Sequence, residues 1–155
     1  MPVVPKVRYE SLLRTKYRTA RPSKSTRLDE AQAQALQMAI LRNIYEWARP
    51  GQWRWITDQS RLKGGVICRQ WGKSKIITLE AVVLALATRL SEEHTSTMIS
   101  AGQNQADDLT TKSIDWCDRF DKISREVAGV SIYRQAPSKS RIHLLNGGEV
   151  RSLPA

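Results

Sequence analysis

The sequence is poor in the residues from which local metal and redox sites are built. Cysteine occurs twice, at Cys68 and Cys117, and so does histidine, at His94 and His143. None falls into C-x-x-C or H-x-x-x-H spacing, so no local metal cluster is expected, and reduced, partly buried thiols are. No cofactor is anticipated. Long apolar runs are missing too. The best candidate, Ile76 to Leu90, is closed off by Lys75 and Arg89 and falls short of the roughly 20 residues that span a bilayer. The first residues carry Lys6 and Arg8 without an apolar core or a small-residue cleavage site. No secretory signal and no membrane partner are therefore expected, and cytoplasmic residence is.

Acidic residues are scarce. Against 25 Lys and Arg stand 15 Asp and Glu, a net charge of +10 on 155 residues. The 41% of apolar residues suffices for the core of one ordinary domain. The charge is blocked rather than mixed. Residues 1–28 hold eight basic side chains and one acidic, residues 53–76 six and one, and residues 132–155 four and one. The intervening stretches are acidic on balance. Such a field favours a polyanionic partner, because like charges that repel one another attract phosphate.

Residues 1–28, with Pro2, Pro5 and Pro22, read as a flexible basic arm. Arg8, Arg14, Lys16, Arg18, Arg21, Lys24 and Arg27 are its candidate phosphate contacts, and Tyr9 and Tyr17 add stacking surface. The plain alternative is a solubilising tail. A single domain is expected over residues 29–146, followed by a frayed tail at 147–155.

Within the domain, Asp29 and Glu30 open a helix whose apolar residues Leu36, Ile40, Ile44 and Trp47 recur at helical spacing, with Pro50-Gly51 as its stop. That stripe reads as core, with dimerisation through this helix as the alternative. Residues 53–57 (WRWIT) and 66–71 (VICRQW) suggest short strands around Gly64-Gly65. Thr78 is placed to cap a buried helix from Leu79 to about Glu92, and residues 91–101 to continue as a short helix. A loop at 102–107 then leads into a helix to about Val127 with Asp107, Asp108 and Thr110 as caps and Gly129 as its stop. Val130–Tyr133 and Arg141–Leu145 read as a hairpin with a basic tip.

Gly72-Lys73-Ser74 invites comparison with a phosphate loop. That motif needs a glycine at position 67, where Ile67 stands, and on this spacing the NTPase reading falls. Asp115, Asp118, Asp121 and Glu126 alternate with Lys112, Arg119, Lys122 and Arg125 in the pattern of a solvated, self-paired helix face. Nothing brings Cys68 or Cys117 to a histidine. No enzyme is expected. The densest signal is residues 53–75, where Trp53, Trp55 and Trp71 interleave with Arg54, Arg61, Lys63, Arg69, Lys73 and Lys75. Rings and cations together suit nucleic acid, and the tryptophans are either core or stacking platform.

The order helix, strand, basic-tipped hairpin, strand over residues 109–145 (TTKSIDWCDRFDKISREVAGVSIYRQAPSKSRIHLL at its heart) resembles the end of a winged helix-turn-helix domain. It is similar to the DNA-binding domains of bacterial response regulators. The resemblance implies a recognition helix exposing Thr111, Lys112, Asp115, Arg119 and Lys122, and a wing carrying Arg134, Lys139 and Arg141. One departure is that the helix holds four acids and four bases, which disfavours it in a groove lined by phosphate. The hairpin, the Trp/Arg segment and the arm then form the contact surface. The expectation is an α+β, mainly helical, winged-helix-like domain with a basic arm, binding nucleic acid without catalysis as a DNA-binding regulator or accessory factor that contacts phosphates through arm and wing, DNA before RNA. The rival readings are a ribonucleoprotein subunit, a structural assembly protein, and an enzyme whose site forms only in the fold.

Overall fold

The computed structural model describes residues 30–58, 60, 63–65, 71–87 and 95–155. The first helix, α1 (Glu30–Trp47), follows its periodicity. Leu36, Ile40 and Ile44 turn inward every fourth residue and are buried, so this stripe is core.

α1 stops just before Pro50-Gly51, as expected, but Pro50 itself starts a second helix, α2 (Pro50–Thr57), and the strand expected at 53–57 is not formed. Two contacts explain the difference. Proline fixes φ and needs no donor in a first turn. The Gln52 side chain also reaches back to accept a hydrogen bond from the Arg49 N–H, at 3.0 Å, and donates to the Trp71 carbonyl at 2.7 Å. The partner strand expected at 66–71 lies, but for Trp71, outside the described residues.

The buried helix α3 (Lys73–Ala87) begins six residues before Leu79. Ile76, Leu79, Val82 and Ala85 are fully buried. Thr78 does not cap it. Its hydroxyl is enclosed and donates to the carbonyls of Ser74 and Lys75 one turn back, at 2.9 and 3.1 Å, the alternative use of a mid-helix threonine.

The short helix expected near 91–101 is replaced, over its described part, by strand β1 (Thr95–Ser100). Ser96 and Met98 are buried while Thr97 and Ile99 are exposed, an alternation of period two that a helix cannot present to one core. The loop placed at 102–107 is the first turn and a half of α4 (Gln103–Ala128), opened by an extended Gly102. Asp107, Asp108 and Thr110 are therefore interior to the helix. Asp107 accepts from Gln103, Asp108 pairs with Lys112, and the Thr110 hydroxyl donates to the Ala106 carbonyl. Gly129 ends the helix at φ 72°, as expected, its N–H donating to the Arg125 carbonyl.

Of the two strands expected at Val130–Tyr133 and Arg141–Leu145, only β2 (Arg141–His143) forms; residues 130–133 make no strand and close the hairpin through one antiparallel bridge, Tyr133 to Leu144. The tail does not fray. Glu149–Pro154 is strand β3, the centre of a three-stranded sheet in the order β1-β3-β2. β3 runs parallel to β1, Ser96 opposite Val150, and antiparallel to β2, Arg141 opposite Arg151. A parallel pair needs a long crossover, and α4 supplies it. Val150 and Ser152 face inward from β3, where the Ser152 hydroxyl donates to the Ala106 carbonyl at 2.6 Å and meets the Thr110 hydroxyl. The core is one cluster joining Ile44 of α1, Ile76 and Leu79 of α3 and Phe120 of α4 to Ile142, Leu144 and Val150 of the sheet and its hairpin. The fold is α+β and mainly helical.

Asn146-Gly147-Gly148, where the domain is expected to give way to a frayed tail, fastens this sheet to α3. Asn146 Nδ2 donates to the last carbonyls of the helix, Ala85 at 2.8 Å and Leu86 at 3.0 Å, groups that a helix end leaves without partners. Its own Oδ1 accepts from the Gly148 N–H at 3.0 Å.

Candidate nucleic-acid interface

The arm cations Arg8, Arg14, Lys16, Arg18, Arg21, Lys24 and Arg27, with Arg61 and Arg69, lie outside the described residues. The remaining predicted contacts do not form one cluster.

Arg54 is exposed on α2. Lys63 faces inward, its side chain 10% exposed. Its ammonium contacts Glu80 at 2.5 Å and the Trp55 carbonyl at 2.8 Å, while Trp55 Nε1 donates to the second oxygen of Glu80 at 2.8 Å. This half-buried network satisfies Lys63 within the domain. Trp53, Trp55 and Trp71 are packed, partly buried, against the core, Trp53 edge-on to Tyr45 at 5.2 Å. They are wall rather than free platform.

On α4, Thr111, Asp115, Arg119 and Lys122 are exposed, and Lys112 is held by Asp108 one turn earlier. Asp118 accepts from the Tyr133 hydroxyl at 2.6 Å. Burial, with the neighbouring Asp118 carboxylate, pushes that phenol well above its usual range, so it stays a donor. Burial likewise pushes the Cys117 thiol up, so it is unreactive.

Asp121 anchors the hairpin. Its Oδ1 accepts from the Ser131 hydroxyl at 2.6 Å and the Ile132 N–H at 2.8 Å, and its Oδ2 from Arg125 Nε at 2.7 Å. Burial by itself would raise this carboxyl; the three donors and the guanidinium charge outweigh it and hold the group below the ordinary aspartate value.

The anchored hairpin presents Arg134 and Lys139 to solvent, and Arg141 stands on β2 beside them. Arg151, in the segment expected to fray, stands directly across from Arg141 on β3. Directly opposed residues share a face, so two guanidinium side chains neighbour each other on the open side of the sheet. Arg141 reaches Glu149 at 3.9 Å, and Arg151 Nε donates to Thr97 at 2.9 Å. His143 also meets Glu149, at 3.8 Å. Sequence reading missed Arg151 because its segment carries only one strongly apolar inward residue, Val150. Ser152 faces inward and Leu153 outward, so the apolar and polar residues of this segment do not alternate in sequence.

Lys73 is exposed as the first residue of α3, behind Gly72, whose φ is 85°. Lys75, two residues on, stands over two indoles, 4.6 Å from Trp47 and 5.4 Å from Trp116. Among the described residues no group of three or more His, Cys, Asp and Glu is placed to hold a metal ion, and no helix is long and apolar enough to cross a membrane.

Comparison of the chain with known protein families, with curated proteins and with solved structures finds no match.

Proposed function

We propose that this protein binds nucleic acid without catalysis, through phosphate contacts from the hairpin, the neighbouring sheet face and the basic arm, with duplex DNA as its first ligand. The observation that supports this most is the opposed pair Arg141 and Arg151 beside Arg134 and Lys139. Like charges directly across a ladder destabilise it, and a polyanion lying on that face relieves the repulsion. In this reading α4 and the hairpin take the places of the last helix and the wing of a winged-helix domain. The acids of α4 keep that helix off the phosphates, so binding follows shape and backbone more than base sequence.

The test is a salt series with duplex DNA, single-stranded DNA and duplex RNA. Tight duplex DNA binding that weakens steeply with salt is expected. Lys139→Ala with Arg141→Ala should lower affinity several-fold for all sequences and reduce the salt slope by about two, and deletion of residues 1–27 should do more. Variants that bind as the parent does would remove the arm-and-hairpin reading. Preference for RNA would move the protein to a ribonucleoprotein, and absence of binding with salt-insensitive self-association to a structural assembly.

A further inference from the structure

On α4, cations at four places have an acid one turn before them. Two use it: Lys112 pairs with Asp108, and Arg125 with Asp121. Asp118, one turn before Lys122, accepts from the Tyr133 hydroxyl instead. Arg119 does not pair with Asp115. Its guanidinium lies instead over the Trp47 and Trp116 rings, at 6.0 and 5.8 Å. Lys75, from α3, lies over the same two rings. Two cations from different helices therefore converge on one indole pair, stacked at 5.0 Å with 21° between planes. Among the described residues neither has a carboxylate within ion-pair distance.

The rings hold these cations by attraction to their π faces, which positions the charge without neutralising it. The gap between the helices is fixed as well, because Trp116 Nε1 donates to the Lys75 carbonyl at 3.1 Å. Both side chains are exposed, so their remaining donors are open to a ligand. A guanidinium fork beside an ammonium, pre-positioned and unneutralised, matches the oxygens of a phosphate.

Resting on the nucleic-acid reading above, we propose that Lys75 and Arg119, carried on Trp47 and Trp116, form a second binding site that clamps one backbone phosphate of nucleic acid. The site lies on the helical side of the domain and adds a contact point that neither arm nor hairpin supplies.

The experiment follows tryptophan fluorescence and anisotropy while a labelled 30-nucleotide DNA, single-stranded or duplex, is titrated into parent, Lys75→Gln, Arg119→Gln and the double variant at several salt concentrations. Inorganic phosphate and pyrophosphate form a separate arm. The double variant should bind about tenfold more weakly. Its log–log salt slope should fall by about one rather than two, because both cations serve one phosphate. Each single variant should already show most of that loss, and Lys75→Arg should bind as the parent does. Thermal melts accompany each variant; if a glutamine variant melts early, the charge-retaining Lys75→Arg and Arg119→Lys proteins must still bind as the parent does. Unchanged affinity and slope in the double variant, while hairpin variants weaken binding, would overturn this site alone. A parent that binds no nucleic acid overturns both this site and the function it rests on. Fluorescence changes with phosphate or pyrophosphate matched by none with DNA would show that the clamp takes a free phosphate, and overturn the proposal as stated.

Discussion

Gly148→Ala should destabilise the protein by at least about 3 kcal/mol and lower its melting temperature by about 10 °C. A Cβ on residue 148 would stand 2.2 Å from the Ala85 carbonyl oxygen and 2.9 Å from its carbon, both backbone atoms of the core helix α3. No rotamer change relieves a clash with backbone, so the turn and the helix must part. Parting them breaks the Asn146 bonds to Ala85 and Leu86 and leaves those carbonyls without partners. Gly64→Ala is the matched control, since a Cβ there meets nothing within 4 Å; its melt should stay within about 0.5 kcal/mol of the parent. Paired thermal melts of the two variants decide the matter. If Gly148→Ala melts with the parent, the turn does not sit on α3.

Asp121→Ala should destabilise by about 3 kcal/mol, because it strips the acceptor from the buried Ile132 N–H and from Ser131 and leaves Arg125 without its partner. The effect should depend on pH with a definite sign. The native carboxyl titrates below its ordinary value, so its contribution is fully present above the unfolded value of about 4 and is lost as pH falls through the depressed native one. The stability gap between parent and Asp121→Asn, measured by denaturant titration, should therefore be widest near neutrality and narrow below about pH 4. A gap that stays constant on acidification would mean that hydrogen-bond shape alone, and not charge, supports the hairpin.

What the sequence made legible was whatever a single element settles by itself. The stripe Leu36, Ile40, Ile44, the all-round apolar helix around Leu79 to Ala85, and Gly129 as a stop each follow from local periodicity or backbone freedom. So did the exposure of Arg134, Lys139 and Arg141. What stayed hidden depends on partners distant in the chain. Ser152 is tolerable inside only because Ala106 and Thr110 receive it, 46 and 42 positions earlier. Lys63 reads as a surface cation until Glu80 is brought beside it. Lys75 and Arg119 converge only when two helices pack, and Arg151 belongs to a face only once β3 is a strand. Residues 53–57 stayed hidden for a different reason: a proline that ends one helix begins another equally well, and Gln52 fastens the second.

The order β1-β3-β2 also bears on how the chain finds its fold. The strand in the middle is the one that comes last, and Arg151 meets Thr97 across 54 positions. Among the described residues β1 and β2 share no ladder, so no part of the sheet beyond the short Tyr133–Leu144 bridge can assemble until residues 149–154 slot between them. Until that happens two open edges and the inward faces of Met98 and Ile142 are bare. A chain of this design closes its sheet late and through distant contacts, the regime of slow folding, in which nascent edges need shielding from one another.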